Sequence, residues 1–218
     1  MDVTARGFLF DMDGTLVDST PVVEHVWGEF SAAHGLDASA VLDYAHGRPA
    51  PATVAHFLPQ YSAEERERMT DHLLQEEVTR TDGIVEIPGA VALIAALVDA
   101  GAPVALVTSA PLPLAVARME AAGVPLPAVV VTPADVEHGK PAPDPYLLGA
   151  RRLGVPIGEC VVFEDVEAGL RAGIDAGART VVVGSYASPL TEGLTRLPDH
   201  RGVTVTAAAG GAFRLRTP

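Results

Sequence analysis

Short unbroken apolar runs recur along the chain at residues 7–10, 104–107, 129–131, 161–163 and 180–183. Runs this short with no polar alternation are the pattern of strands buried on both faces. Interleaved with them are helical patterns that stop at a glycine: 90–100 before Gly101, 112–122 before Gly123, 145–153 before Gly154 and 167–176 before Gly177. Alternating strand and helix predicts a parallel sheet covered on both faces, an α/β fold. The alternation fails between Leu16 and Glu86, where only helical patterns occur: 21–34 with Thr20 as N-cap, then 38–45, 50–58 and 62–80. This predicts a helical insertion, residues 18–86, placed after the first strand of a core made of 1–17 and 87–218. At the far end, 203–206 and 213–215 flank Gly210-Gly211 and predict a terminal hairpin.

Ligands of an open parallel sheet bind beyond the carboxyl ends of its strands, so the residues that follow each apolar run become neighbours. These are Asp11-Met12-Asp13-Gly14-Thr15, then Thr108-Ser109, then the loop carrying Gly139-Lys140-Pro141, then Glu164-Asp165. Four carboxylates at one place, Asp11, Asp13, Glu164 and Asp165, repel one another unless a cation joins them. An all-oxygen set with few protein groups suits Mg²⁺ better than zinc, which takes His or Cys. Asp11 and Asp13, two apart on an extended segment, project to the same side. One can attack a phosphorus atom while the other serves the leaving oxygen. Thr108, Ser109 and nearby backbone N–H groups can bind phosphate oxygens, and Lys140 can neutralise the transferring group. Each fragment alone has an ordinary structural explanation, a turn at Asp13-Gly14 or a helix start at Glu164-Asp165. Their order at successive strand ends is what points to function.

Charge sharpens this reading. The formal charge is −13, which opposes nucleic acid and anionic membrane as partners. It also repels a phosphate ester, so local cations must overcome the mean field. Lys140 is the single lysine; every other basic side chain is arginine. No apolar run reaches the ~20 residues of a membrane span, the first residues carry no secretory pattern, and a cytoplasmic location is expected. Cys160 is the one cysteine, in an apolar run where a buried thiol is the ordinary expectation.

The motif Asp11-x-Asp13-Gly14-Thr15, with Thr108, Lys140 and the acids Glu164 and Asp165, resembles the four motifs of haloacid dehalogenase-like hydrolases over nearly the whole chain. The resemblance implies a Rossmann-like core and a helical cap, with Asp11 as nucleophile and magnesium ligand. It implies Asp13 as general acid/base and as a magnesium ligand through its backbone carbonyl, and Asp165 and Glu164 as metal-site acids. Segments at 46–48, 86–90 and 139–146 resemble sugar and glycerol phosphate phosphatases within that superfamily. A small phosphorylated metabolite is the implied substrate, handled by a monomer or simple homo-oligomer. His46 and Arg48 are the candidate substrate contacts of the cap, while Asp18 and Glu24 are expected to serve the hinge or the first helix. Trp27 with Phe30 is expected to pack the cap.

Three rival reactions are weakened by particular residues. Related phosphomutases have a histidine at the hinge, where this chain has Val23, and a lysine in the cap, where it has none. A phosphonatase needs the same lysine. A dehalogenase has no use for the metal-site acids. A non-catalytic ligand-binding relative would be expected to lack one of the acids, and all are present.

Overall fold

The computed structural model describes residues 1–45 and 48–217. Strand β1 (Asp2–Ala5) is followed at once by β2 (Gly7–Phe10), and β3 (Val17–Asp18) leads out of the sheet. Helices α1 (Thr20–His34), α2 (Ala38–Ala45), α3 (Ala50–Phe57) and α4 (Ala63–Thr79) come next, and β4 (Val85–Glu86) returns. The alternation then resumes with α5 (Ala90–Asp99), β5 (Val104–Val107), α6 (Leu112–Ala121), β6 (Val129–Val131), α7 (Asp144–Leu153), β7 (Cys160–Glu164) and α8 (Glu167–Asp175). Strands β8 (Arg179–Val183), β9 (Thr195–Leu197), β10 (Thr204–Ala207) and β11 (Phe213–Arg216) complete the chain.

Among the described residues the main sheet runs β6-β5-β2-β7-β8-β9, all parallel. Phe10 is in register with Leu106 on one side and Phe163 on the other, so Asp11, Val107 and Glu164 stand level at the carboxyl edge. Successive side chains of β2 enter opposite layers: Phe8 and Phe10 join the core under α5 and α6, and Leu9 joins Tyr146, Ala150 and Ala172 under α7 and α8. A strand buried on both faces must read as a continuous apolar run, which is why GFLF carries no alternation.

Strands β3 and β4 pair antiparallel, Val17 with Glu86 and Asp18 with Val85, so the two crossings into the helical insertion lie side by side. Ser62 and Glu65 form a reciprocal capping box that starts α4. Thr20 is not the N-cap of α1. Ser19 occupies that position without capping the helix, because its hydroxyl donates to Asp13, and the Thr20 N–H is satisfied by Asp18 Oδ1 at 3.0 Å. The predicted terminal hairpin is present as β10 and β11, and β1 pairs with its outer edge, Asp2 opposite Arg216.

Candidate active site

Asp11 leaves β2 with its N–H bound to Phe163 O at 3.0 Å, and the chain then curls around the Met12 carbonyl, which accepts from Leu16 N at 2.8 Å and Val17 N at 2.9 Å. Met12 is fully buried, so Asp11 and Asp13 on either side of it share the other face. Gly14 sits at φ +80°, and a Cβ there would overlap the Asp165 carboxylate; the position requires glycine on both counts.

Lys140 uses all three of its N–H donors: Asp11 Oδ1 at 2.5 Å, Glu164 Oε1 at 2.6 Å and Val107 O at 2.9 Å. Tyr146 donates to the same Glu164 oxygen at 2.6 Å, while Glu164 Oε2 accepts from Asp165 N at 3.1 Å. Asp165 Oδ1 accepts from Thr15 Oγ1 at 3.2 Å. Asp13 is held from two sides, by Ser19 Oγ at 2.6 Å on Oδ1 and by Arg118 Nη1 at 2.7 Å on Oδ2.

These contacts set the electrostatics. Burial, then the Glu164 charge, pushes Asp11 up to about 7 against the pull of Lys140. The same two causes hold Asp165 well above the ordinary carboxylate range. Burial works to lower the Lys140 pKa, and the carboxylates of Asp11 and Glu164 outweigh it, so the ammonium is retained. Burial beside Glu164 raises the Tyr146 phenol, which stays a donor.

Asp11, Glu164 and Asp165 present oxygens that all lie within 4.8 Å of one another. Hard oxygen donors crowded together in a desolvated site are what a divalent cation relieves, so the residues fit the ion that the sequence implies. Both Glu164 oxygens already have partners, which leaves Asp11 and Asp165 as the acids with more freedom to ligate.

A cavity of about 500 Å³ spans the sheet edge and the insertion. The sequence-predicted Asp11, Asp13, Thr108, Ser109, Lys140, Glu164 and Asp165 all line it. Thr108 is anchored through its N–H to Val131 O at 3.0 Å, and its hydroxyl accepts from Ala110 N at 3.0 Å. Arg48 lines the cavity from the insertion, with Nη1 on Tyr44 O at 2.6 Å and its guanidinium 4.3 Å from the Tyr44 ring centroid. His46 lies outside the described residues. Trp27 packs edge-on to Phe30 as expected, at 5.6 Å between centroids, and also faces the cavity.

Sequence reasoning missed Ser19, Arg118 and Tyr146. For Arg118 a signal exists: it shares the buried stripe of α6 with Leu114, Ala115 and Met119, and a cation on an apolar stripe asks for a buried partner. For Ser19 and Tyr146 no spacing reveals the partner.

The sequence profile of haloacid dehalogenase-like hydrolases matches residues 5–177. The chain belongs to that family and is an enzyme of it. It is similar to "Hexitol phosphatase A" of Escherichia coli (strain K12), 43% identical over 208 residues that cover 94% of this chain and 96% of the relative. It is also similar to "Glycerol-1-phosphate phosphohydrolase 2" of Saccharomyces cerevisiae, 34% identical, covering 83% and 75% respectively. Among solved structures, CbbY from Rhodobacter sphaeroides in complex with phosphate superposes with a TM-score of 0.79 at 27% identity, over 90% of this chain and 95% of that one.

Proposed function

We propose that this chain is a phosphomonoester hydrolase for a small sugar or polyol phosphate, working through a phosphorylated Asp11. The observation that carries the reading is the disposition of two carboxylates at the end of β2, Asp11 against Lys140 and Asp13 against Arg118 and Ser19, in one cavity. An Asp11 oxygen attacks phosphorus and the ester P–O bond breaks, while the Asp13 carboxyl gives its proton to the departing alkoxide. Asp13, now a carboxylate, takes a proton from water, whose oxygen attacks the same phosphorus and restores Asp11. Lys140, Thr108 and Ser109 bind the phosphoryl oxygens through both steps. Asp11 and Asp165, with the Asp13 backbone carbonyl and Glu164 at the margin, would hold Mg²⁺, which supplies charge neutralisation to those oxygens when bound.

Residues 18–86 act as a cap on the core of 1–17 and 87–218, closing to exclude bulk water and opening for release. His46 and Arg48 are the proposed cap contacts to substrate. The names of the relatives, a hexitol phosphatase and a glycerol-1-phosphate phosphohydrolase, support the substrate class. A cytoplasmic enzyme fits the lone, buried Cys160. The phosphomutase reading loses support at Val23, which lines the cavity where related mutases place a histidine, and from the absence of lysine in 18–86.

The test is phosphate release from a panel of hexitol, hexose and glycerol phosphates, with Mg²⁺ and with chelator, for wild type and Asp11→Asn. Metal-dependent release that falls at least ~1000-fold in the variant is expected. Turnover retained by Asp11→Asn, or isomerisation without phosphate release, would overturn the proposal.

A further inference from the structure

One buried cluster of charges is not used by the motif residues alone. Arg118, on α6 of the sheet layer, sends Nη1 to Asp13 Oδ2 at 2.7 Å and Nη2 to Glu77 Oε1 at 3.3 Å. Glu77 belongs to α4 of the insertion, and the same oxygen accepts from Trp27 Nε1 of α1 at 3.2 Å. The side chains of Arg118 and Glu77 are each 6% exposed. Burial raises the Glu77 pKa, and the Arg118 charge beside it opposes the rise.

A pair this buried is an inefficient way to gain stability. Desolvating both ions has a cost that their attraction only partly returns. Arg118 Nε, also buried, has no partner among the described residues, a further cost. An apolar pair would hold α4 against α6 at less expense, so the charge points to another role. Two features identify it. The guanidinium reaches Asp13, and its second partner comes from the element proposed to move.

We propose that Arg118 is a positioning residue that sets the Asp13 carboxyl toward the leaving oxygen, and does so when the insertion is seated and Glu77 is in reach. With the insertion away, Glu77 and Trp27 leave with it, and Arg118 keeps one anchor instead of two. Seating the insertion therefore fixes the acid/base group at the moment water is excluded. Glu77 is the link between the two events. This inference rests on the phosphatase reading and on Asp13 as its acid/base.

The test separates positioning of Asp13 from general damage by changing the leaving group. An alkyl ester needs Asp13 to protonate its alkoxide, whereas p-nitrophenolate departs without a proton. Single-turnover release of the leaving alcohol or phenol, which reports the first step alone, is measured with enzyme in excess for p-nitrophenyl phosphate and for the alkyl phosphate that wild type turns over fastest. Arg118→Met is expected to slow the alkyl ester ~100-fold and the aryl ester by no more than ~3-fold. Glu77→Gln, which keeps an acceptor for Trp27, is expected to show the same selectivity at ~10-fold, and Arg118→Lys to recover about tenfold over Met. Equal losses on both esters would reduce Arg118 to a structural role, and no loss in Glu77→Gln would remove the link to the insertion; either overturns the proposal. If Arg118→Met does not fold, Arg118→Lys against wild type makes the same comparison. Wild type inactive on every ester refutes the phosphatase reading instead, which keeps the two failures distinct.

Discussion

Asp11 is a carboxylate where burial and Glu164 both favour its protonated form, raising its pKa to about 7 from an ordinary 3.8. Between those values the folded protein binds more protons than the unfolded chain, so raising the pH favours unfolding. Metal-free protein is therefore expected to lose stability from about pH 5 to about pH 7, with a slope on the order of 1 kcal/mol per pH unit from this one group. Urea titrations in chelator at several pH values measure it. Asp11→Asn should lessen the slope, leaving the contributions of Asp165 and Glu77, which burial also raises, and of His200, which burial lowers and which acts in the opposite sense. Added Mg²⁺ should stabilise wild type more at pH 7 than at pH 5, because it competes with protons for these oxygens. An unchanged slope in Asp11→Asn would contradict the assignment. Asp11, Asp13, Lys140 and Asp165 were legible in the sequence because strand ends in a parallel sheet share an edge. Ser19, Arg118 and Tyr146 were not, because each is defined by a partner, 6, 105 and 18 positions away respectively, that only the fold brings near.

The helices carry two glycines whose substitution by alanine has opposite expected signs. Helix propensity favours alanine over glycine by about 1 kcal/mol in a helix interior such as Gly28, and by less in a first turn such as Gly169. At Gly28 in α1 an added Cβ meets nothing within 4 Å, so Gly28→Ala should gain ~0.5–1 kcal/mol. At Gly169 in α8 the same methyl would overlap the Glu164 carboxylate, which Lys140 and Tyr146 hold in place. Gly169→Ala should lose ~1–3 kcal/mol despite its better propensity. Thermal unfolding of the two variants beside wild type reads both signs, and a stabilised Gly169→Ala would mean that Glu164 is free to move. Helix stops were readable because glycine permits the left-handed C-cap, as at Gly154 with φ 70°. Four strands were not read: the two-residue β3 and β4 at the crossings, and β1 and β9. β1 alternates exposed and buried residues with an Asp and a Thr, and its partner β11 stands at the other end of the chain. β9 is a three-residue edge strand whose pairing with β8 is decided by tertiary placement.

For the molecule as a whole, charge reads easily from composition but its distribution does not. The side-chain cations at the site are largely committed to acids: Lys140, expected to offset the −13, to Asp11 and Glu164, and Arg118, which the sequence did not reveal, to Asp13 and Glu77. Asp165 adds a further acid to the same cavity, and Arg48 is the cation there whose bonds run to a backbone carbonyl and a ring. An incoming phosphate dianion therefore meets repulsion from the whole molecule until it is close enough to feel Lys140 and the divalent ion proposed to bind beside it. Repulsion between like charges beyond about 10 Å is removed by ordinary salt, whereas contacts inside the desolvated site are screened far less. With Mg²⁺ saturating, kcat/KM for a sugar phosphate should rise about 2- to 5-fold as NaCl increases from about 10 mM to about 150 mM, and kcat should stay level. Steady-state rates across that range decide it. A fall in kcat/KM would mean instead that the mouth of the cavity is locally positive, with Arg48 drawing substrate in against the net charge of the protein.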